Sequence, residues 1–373
     1  MERGARGRPF FRQLAAHMAK VYGQSEEGLE TTFMPVTRRD LVKAAILTAA
    51  ATAALPTIAS SRPFVPRLGP RCRVMFVNDL AGDLDGLYAL VHALLSPSLD
   101  LRGIIASSTG MPGESAAEAV GFAHEILGLM DMQGKVPVHL GAAAKLASAD
   151  KAQPSAGTDA IIAEAMRTDS RLPLYVAVGG GLTEVASALI REPAIASRMT
   201  LVWIGGDAYP DGGTGETNFN IDSLAAMHVF NVSEVPIWQV PRAAYATCMV
   251  SASELETFVA PHGRIGEWLY RQVTDAPKRF RNALNTGETW TLGDNPLVLL
   301  TALTAWHPSA HRLPLPFEGT GSSLFDETPA PILEPDGRFS PRQGSRKIRI
   351  YRSVDNRMMM ADMFAKLKSN YPA

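Results

Sequence analysis

Asp79, Asp83 and Asp85 crowd into one short stretch, Val77-Asn78-Asp79-Leu80-Ala81-Gly82-Asp83-Leu84-Asp85-Gly86. Like charges so close repel each other unless a cation sits among them, and Ca²⁺ takes clustered carboxylate oxygens. The run before them, Val74-Met75-Phe76-Val77, is continuously apolar and reads as a buried strand. Residues 87–95 read as a helix that is apolar nearly all round. The three aspartates are therefore predicted at the carboxyl end of a strand, where open α/β sheets bind ligands. The plainer alternative is a solvated, Asp-rich turn in which Asp85 caps the helix.

The elements that would position these groups recur along the chain. Strands are predicted over 73–78, 101–106, 136–139, 173–178, 199–204, 235–240 and 347–351. Helices are predicted over 86–96, 114–130, 157–168, 182–191, 222–231, 252–260, 263–272, 296–305 and 355–368. Apolar strands alternating with helices predict an α/β fold: an open, mostly parallel, Rossmann-like sheet with helices on both faces. The Pro-, Gly- and Ser-rich segment 308–346 reads as a long surface excursion within a single domain, 66–373. Residues after each strand would share one edge of such a sheet. They include Ser107-Ser108-Thr109, Gly179-Gly180-Gly181-Leu182-Thr183, Gly205-Gly206-Asp207, Glu216-Thr217-Asn218 and Gly293-Asp294-Asn295. Glycines there let the backbone approach a ligand closely. Glu216 and Asn218, two apart in an extended stretch, would point to one side and offer acceptors and donors to vicinal hydroxyls.

Bulk properties narrow the classes. The chain has 373 residues, 46 % hydrophobic and 20 % charged, with a net charge of −1, so nothing points to nucleic acid or to an anionic membrane surface. Cys72 and Cys248 are too few for a disulfide framework and read as buried free thiols. His92, His124, His139, His228, His262, His307 and His311 show no metal-ligand spacing and read as packing or surface residues. Trp203 and Trp238 read as core. No G-x-G-x-x-G follows the first strand, and the 179–181 glycines lack the Lys-Ser/Thr of a phosphate loop. Residues 1–65 read as a leader. Within them Thr37-Arg38-Arg39-Asp40-Leu41-Val42-Lys43, the alanine-rich run 44–55 and small residues up to Ser60 resemble a twin-arginine export signal. That run is too short to span a bilayer, so an exported protein, periplasmic or secreted and without a stable membrane anchor, is expected.

Taken in order, these elements resemble the inosine/uridine-type nucleoside hydrolase family from about residue 72 to the C-terminus. The first turn resembles its Asp-x-Asp-Pro-Gly-x-Asp-Asp. Gly181-Leu182-Thr183-Glu184-Val185-Ala186 resembles its Gly-Pro-Leu-Thr-Asn-x-Ala, and Ile204-Gly205-Gly206 its Met-Gly-Gly strand end. Glu216-Thr217-Asn218 with Asp222, Ala225 and Ala226 resembles its Glu-x-Asn and Asp-Pro-x-Ala-Ala elements. Gly293-Asp294-Asn295-Pro296-Leu297 resembles its late His-Asp element. The resemblance implies cleavage of the N-glycosidic bond of a ribonucleoside or related N-riboside. It implies Ca²⁺ held by Asp79, Asp83, Asp85, Asp294 and the Thr183 carbonyl, and a bound water activated by Asp85 or Asp83. Glu216 and Asn218 would hold the sugar, and a homo-oligomer is expected.

The chain departs from that pattern in places. Counted back from the helix, Asp85 is the base and Ala81 and Gly86 stand where the family has aspartates; counted forward from Asp79 with one inserted residue, Asp83 is the base and Asp85 a metal ligand. Gly293 stands where several members have a histidine that assists the leaving base; Trp290, Tyr209 and Glu288 are the candidate substitutes. The alternative reading is a non-catalytic, calcium-dependent binder of sugars or nucleosides with the same fold.

Overall fold

Continuous apolar runs become strands covered on both faces. The computed structural model describes residues 69–213, 215–279, 287–303 and 323–373, so the leader 1–65, His307 and His311 lie outside the described residues. The strands are β1 (Cys72–Asn78), β2 (Leu99–Ala106), β3 (Val138–Leu140), β4 (Leu174–Gly179), β5 (Thr200–Ile204) and β6 (Ile237–Val240). They continue with β7 (Met249–Ser251), β8 (Thr289–Thr291), β9 (Leu324–Pro329), β10 (Ile332–Leu333), β11 (Phe339–Ser340) and β12 (Lys347–Ser353). The helices are α1 (Asp85–Leu94), α2 (Ala116–Leu129), α3 (Ala156–Ala165), α4 (Thr183–Arg191), α5 (Thr217–Ile221) and α6 (Ser223–Asn231). After them come α7 (Arg242–Tyr245), α8 (Ala252–Phe258), α9 (Gly263–Arg279), α10 (Pro296–Val298) and α11 (Asn356–Asn370).

The main sheet has eight strands in the order β3-β2-β1-β4-β5-β6-β12-β9. Every neighbouring pair is parallel except β12 with β9. Alternate residues of β1 face opposite layers. Val74 and Phe76 join a core with Leu87 and Leu90 of α1, Ala123 of α2 and Met359 of α11. Met75 and Val77 join a core with Ile161 of α3, Val185 of α4 and Val229 of α6. Each fully buried aliphatic side chain contributes roughly 1.5–3 kcal/mol, which fixes strand register and helix face together. Ser115 and Ser251 start α2 and α8 with capping boxes closed by Glu118 and Glu254.

The predicted parallel sheet is therefore present, with four differences in detail. Within 308–346, β9 is not a surface excursion but the antiparallel edge of the main sheet. Its Asp326 and Glu327 are exposed, and edge strands bear charge where a central strand does not, so its hydropathy looked like a loop. The β10/β11 hairpin brings Leu333 and Phe339 into the core. The helix predicted over 296–305 is one α turn followed by a π turn, Leu299–Leu303. The β7/β8 pair was not anticipated. Among the described residues no helix is long and apolar enough to cross a membrane.

Candidate active site

Chain direction reverses around β1. The strands proceed outward to β2 and β3 on one side, and β4 then returns to β1 on the other. A crevice opens at such a switch point, beyond the carboxyl ends of β1 and β4. The first turn lies there. The Asp79 N–H donates to the Gly179 carbonyl at 3.3 Å, and the Gly82 N–H donates back to Asp79 at 2.6 Å. Leu80, Ala81 and Leu84 are buried in the core, which leaves the polar side chains of the turn to the crevice. Asp79 is buried, Asp85 half-buried and Asp83 exposed. Asp85 opens α1 rather than capping it, since Leu84 stands at the cap and makes no side-chain bond. Asp85 Oδ1 accepts the Gly86 N–H at 2.9 Å, and Asp83 Oδ1 accepts the Leu84 N–H at 2.5 Å.

Asp294 reaches the same place from the segment between β8 and α10. It is 3 % exposed, and Asn78 Nδ2 donates to its Oδ2 at 2.7 Å. Three glycines make the room. A Cβ at Gly179 would overlap Asp294 Oδ2 and Asn78 Nδ2. At Gly180, whose φ is +148°, a Cβ would lie 3.2 Å from Asp79 Cγ. At Gly293 it would lie 3.1 Å from Asp85 Oδ2 and 3.0 Å from Tyr245 Cδ2.

These carboxyls disfavour ionising together. Burial, then the charges of Asp294 and Asp83, push Asp79 well above the usual carboxylate range. Asp85 is raised for the same reasons, with Asp79 adding to the effect. Burial pushes Asp294 up to about 7 against the lowering bond from Asn78. Glu114, which accepts the Thr109 hydroxyl at 2.5 Å, adds negative charge beside Asp79. Among the described residues no three His, Cys, Asp or Glu side chains close on a single point at ligating distance. The donor chemistry is nevertheless that of a hard cation. Every donor is oxygen, three carboxyls are held partly desolvated against mutual repulsion, and the buried Asn78 Oδ1 beside them has no partner. The residues fit Ca²⁺ by chemistry, with their closing around an ion still required.

The remaining expected residues fall at the ends of β4 and β5. Thr183 begins α4, and its hydroxyl donates to Asp222 at 2.7 Å. The 216–218 stretch is not extended. Glu216 caps α5 and Asn218 lies in its first turn, so their spacing does not place them on one face. Both still meet the end of β5, since Glu216 Oε2 accepts the Gly206 N–H at 2.7 Å and Asn218 Nδ2 donates to the Ile204 carbonyl at 2.8 Å. Glu216 is fully buried, whereas Asn218 is half-buried.

Of the candidate leaving-group residues, Trp290 is buried, Tyr209 packs on Phe339 and Glu288 is exposed. Tyr245, which the sequence did not flag, lies beside Gly293 and donates to Glu216 Oε1 at 2.8 Å. Glu184 was also missed. It is buried and pushed up to about 7 by desolvation, with Oε1 accepting the Ala142 N–H at 2.8 Å. Its place in the first turn of an amphipathic helix gave no signal. Cys72 and Cys248 are free, buried thiols, raised by burial to about 11 and about 12. Trp203 is core, as expected, while Trp238 is half-buried beneath the Arg349 guanidinium. His92, His228 and His262 are held by Asp362 and by the carbonyls of Ala149 and Tyr371, as packing residues.

Solved structures that superpose on this chain include nucleoside hydrolases. A purine-preferring ribonucleoside hydrolase from Gardnerella vaginalis superposes with a TM-score of 0.61 at 16 % identity, covering 80 % of this chain and 98 % of its own. A plant nucleoside hydrolase gives 0.59 at 17 %, covering 80 % and 99 %. An inosine-uridine preferring nucleoside hydrolase from Bacillus anthracis gives 0.56 at 17 %, again 80 % and 99 %. Likeness at such identity establishes the fold alone, a mostly parallel α/β sheet with helices on both faces. No protein of curated function matches the sequence. Residues 76–360, which include all of the first-turn aspartates and Asp294, match the inosine-uridine preferring nucleoside hydrolases. The chain belongs to that family and is thereby an N-glycosyl hydrolase.

Proposed function

We propose that the protein hydrolyses the N-glycosidic bond of a ribonucleoside or related N-riboside, releasing free base and ribose. The convergence of Asp79, Asp85 and Asp294 in the switch-point crevice carries this reading. Cleavage passes through an oxocarbenium-like sugar, and carboxylates around the crevice stabilise that developing positive charge. Asp85, half-buried beside Gly293, accepts the proton of the attacking water, with exposed Asp83 as the alternative base. Water oxygen bonds to the anomeric carbon as the C–N bond breaks, and the base departs with the bonding pair. Asp79, Asp83, Asp85, Asp294 and the Thr183 carbonyl would hold Ca²⁺, which when bound supplies the positive charge that lets these carboxyls ionise together and makes a nearby water more acidic. Glu216 and Asn218 organise the sugar end. The 1–65 leader, in the same proposal, exports the protein, and the mature chain assembles as a homo-oligomer.

The test is calorimetric titration of the chelated mature protein with Ca²⁺, then a ribonucleoside panel assayed for free ribose. Stoichiometric Ca²⁺ binding with ribose release supports the enzyme. Asp85→Ala is expected to lower kcat by about 10²–10⁴-fold with the fold intact. Calcium binding without release would favour the sugar-binding alternative. Full activity in both Asp85→Ala and Asp83→Ala would refute the mechanism.

A further inference from the structure

We infer that Tyr245, rather than Glu216, presents the hydroxyl acceptor to the sugar, with Glu216 acting behind it as a positioning residue. The inference rests on the proposed riboside-binding role of this crevice and assigns its sugar contact. An ionised carboxylate has about four acceptor positions. All four on Glu216 are filled. Oε2 accepts the N–H groups of Gly206 and Phe219, each at 2.7 Å. Oε1 accepts the Asn218 N–H at 3.1 Å and the Tyr245 hydroxyl at 2.8 Å. Glu216 is also 0 % exposed, so a sugar reaching it would have to displace a hydrogen bond and open a buried cap.

Tyr245 has what Glu216 lacks. It is half-buried at the end of α7, and its ring edge borders the point from which Asp85 Oδ2 is 3.1 Å away. With its proton given to Glu216, the phenol oxygen keeps lone pairs to accept a sugar O–H. Gly293 is the enabling position. Its φ is not in the left-handed region, so space rather than backbone conformation calls for glycine there. A side chain at 293 would press Tyr245 and Asp85 apart. The phenol thus sits between the water-activating aspartate and the carboxylate that fixes its rotation.

Tyr245→Phe keeps the ring and leaves Glu216 its three backbone donors, so the fold is expected to survive. Affinity for a ribonucleoside, measured by calorimetry, is expected to fall about tenfold, as KM rises about tenfold with kcat nearly unchanged. The decisive comparison uses 2′-, 3′- and 5′-deoxy analogues. The Tyr245→Phe penalty should vanish for the one analogue that lacks the hydroxyl Tyr245 accepts. A merely structural role would lower affinity for all analogues alike and would overturn the inference. Unchanged or tighter binding in Tyr245→Phe would overturn it too, because the sugar would then be reaching Glu216 directly. A wild-type protein that binds but does not cleave would sink the hydrolase reading, while the analogue pattern still decides Tyr245. A wild-type protein that neither binds nor cleaves ribosides would sink both.

Discussion

Asp294→Asn isolates the electrostatic cost of the crevice. Asp294 is buried, and its carboxyl rises from 3.8 to about 7. At ~1.36 kcal/mol per pH unit, the ionised form costs the folded, metal-free protein on the order of 4 kcal/mol. The sign follows from proton count. Below pH 4 Asp294 is protonated folded or unfolded and carries no penalty. Between 4 and 7 the folded protein holds a proton that the unfolded chain has released, so stability falls as pH rises. Above 7 the penalty is fully present. Asparagine cannot ionise, and its carbonyl can still accept the 2.7 Å bond from Asn78. It also removes the largest neighbouring charge acting on Asp79 and Asp85. Chelated wild type and Asp294→Asn are to be unfolded in urea from pH 4 to pH 8.5. The expected result is equal stability near pH 4 and an advantage for the variant that grows to several kcal/mol by pH 8. A difference independent of pH would refute the reasoning, as would a variant less stable at pH 8.

Two further substitutions test packing. Gly179→Ala puts a methyl group against Asp294 and Asn78, and overpacking of this kind costs about 1–3 kcal/mol. A lower melting temperature with weakened Ca²⁺ binding is expected, and an unchanged melting curve would show that the glycine is not needed for close approach. Glu164→Ala removes the partner that Arg73 meets at 2.6 Å near the start of β1, the sheet edge opposite the crevice. Leaving a buried guanidinium unpaired costs about 3–5 kcal/mol. Denaturant unfolding should report that loss while KM for a riboside stays put at permissive temperature, and a changed KM would contradict the separation of the two edges.

The fold was legible because burial on both faces writes itself as uninterrupted apolar runs, as in β1, β4 and β5. Once those runs are strands, the carboxyl edge follows, and Asp79 and Asp294 could be placed together although far apart in sequence. What failed was local and has local causes. Glu216 and Asn218 looked paired by a two-residue spacing, but a glutamate ahead of free backbone N–H groups becomes a helix cap, and the cap overrode the extended reading. The strand β9 was invisible because an exposed edge carries charge. Tyr245 lies in a four-residue helix with no motif around it, and only the third dimension brings it to Glu216.

The departures in the first turn also have a structural logic. Position 81 is packed in the core with Leu80 and Leu84, so an aspartate there would be buried among apolar groups, away from the crevice. At position 86 a Cβ would overlap Asn78 Oδ1, so a side chain there and an amide at 78 exclude one another. The same Asn78 donates to Asp294 and lowers its carboxyl. The amide at 78 and the glycine at 86 are therefore sterically linked: no carboxylate follows Asp85 at position 86, and a neutral donor steadies the late aspartate instead. Asp83, exposed beside Asp85, returns a carboxylate to the turn without the steric conflict at 86. A crevice with fewer buried negative charges costs less to hold without metal, and the same economy should weaken its grip on a divalent cation.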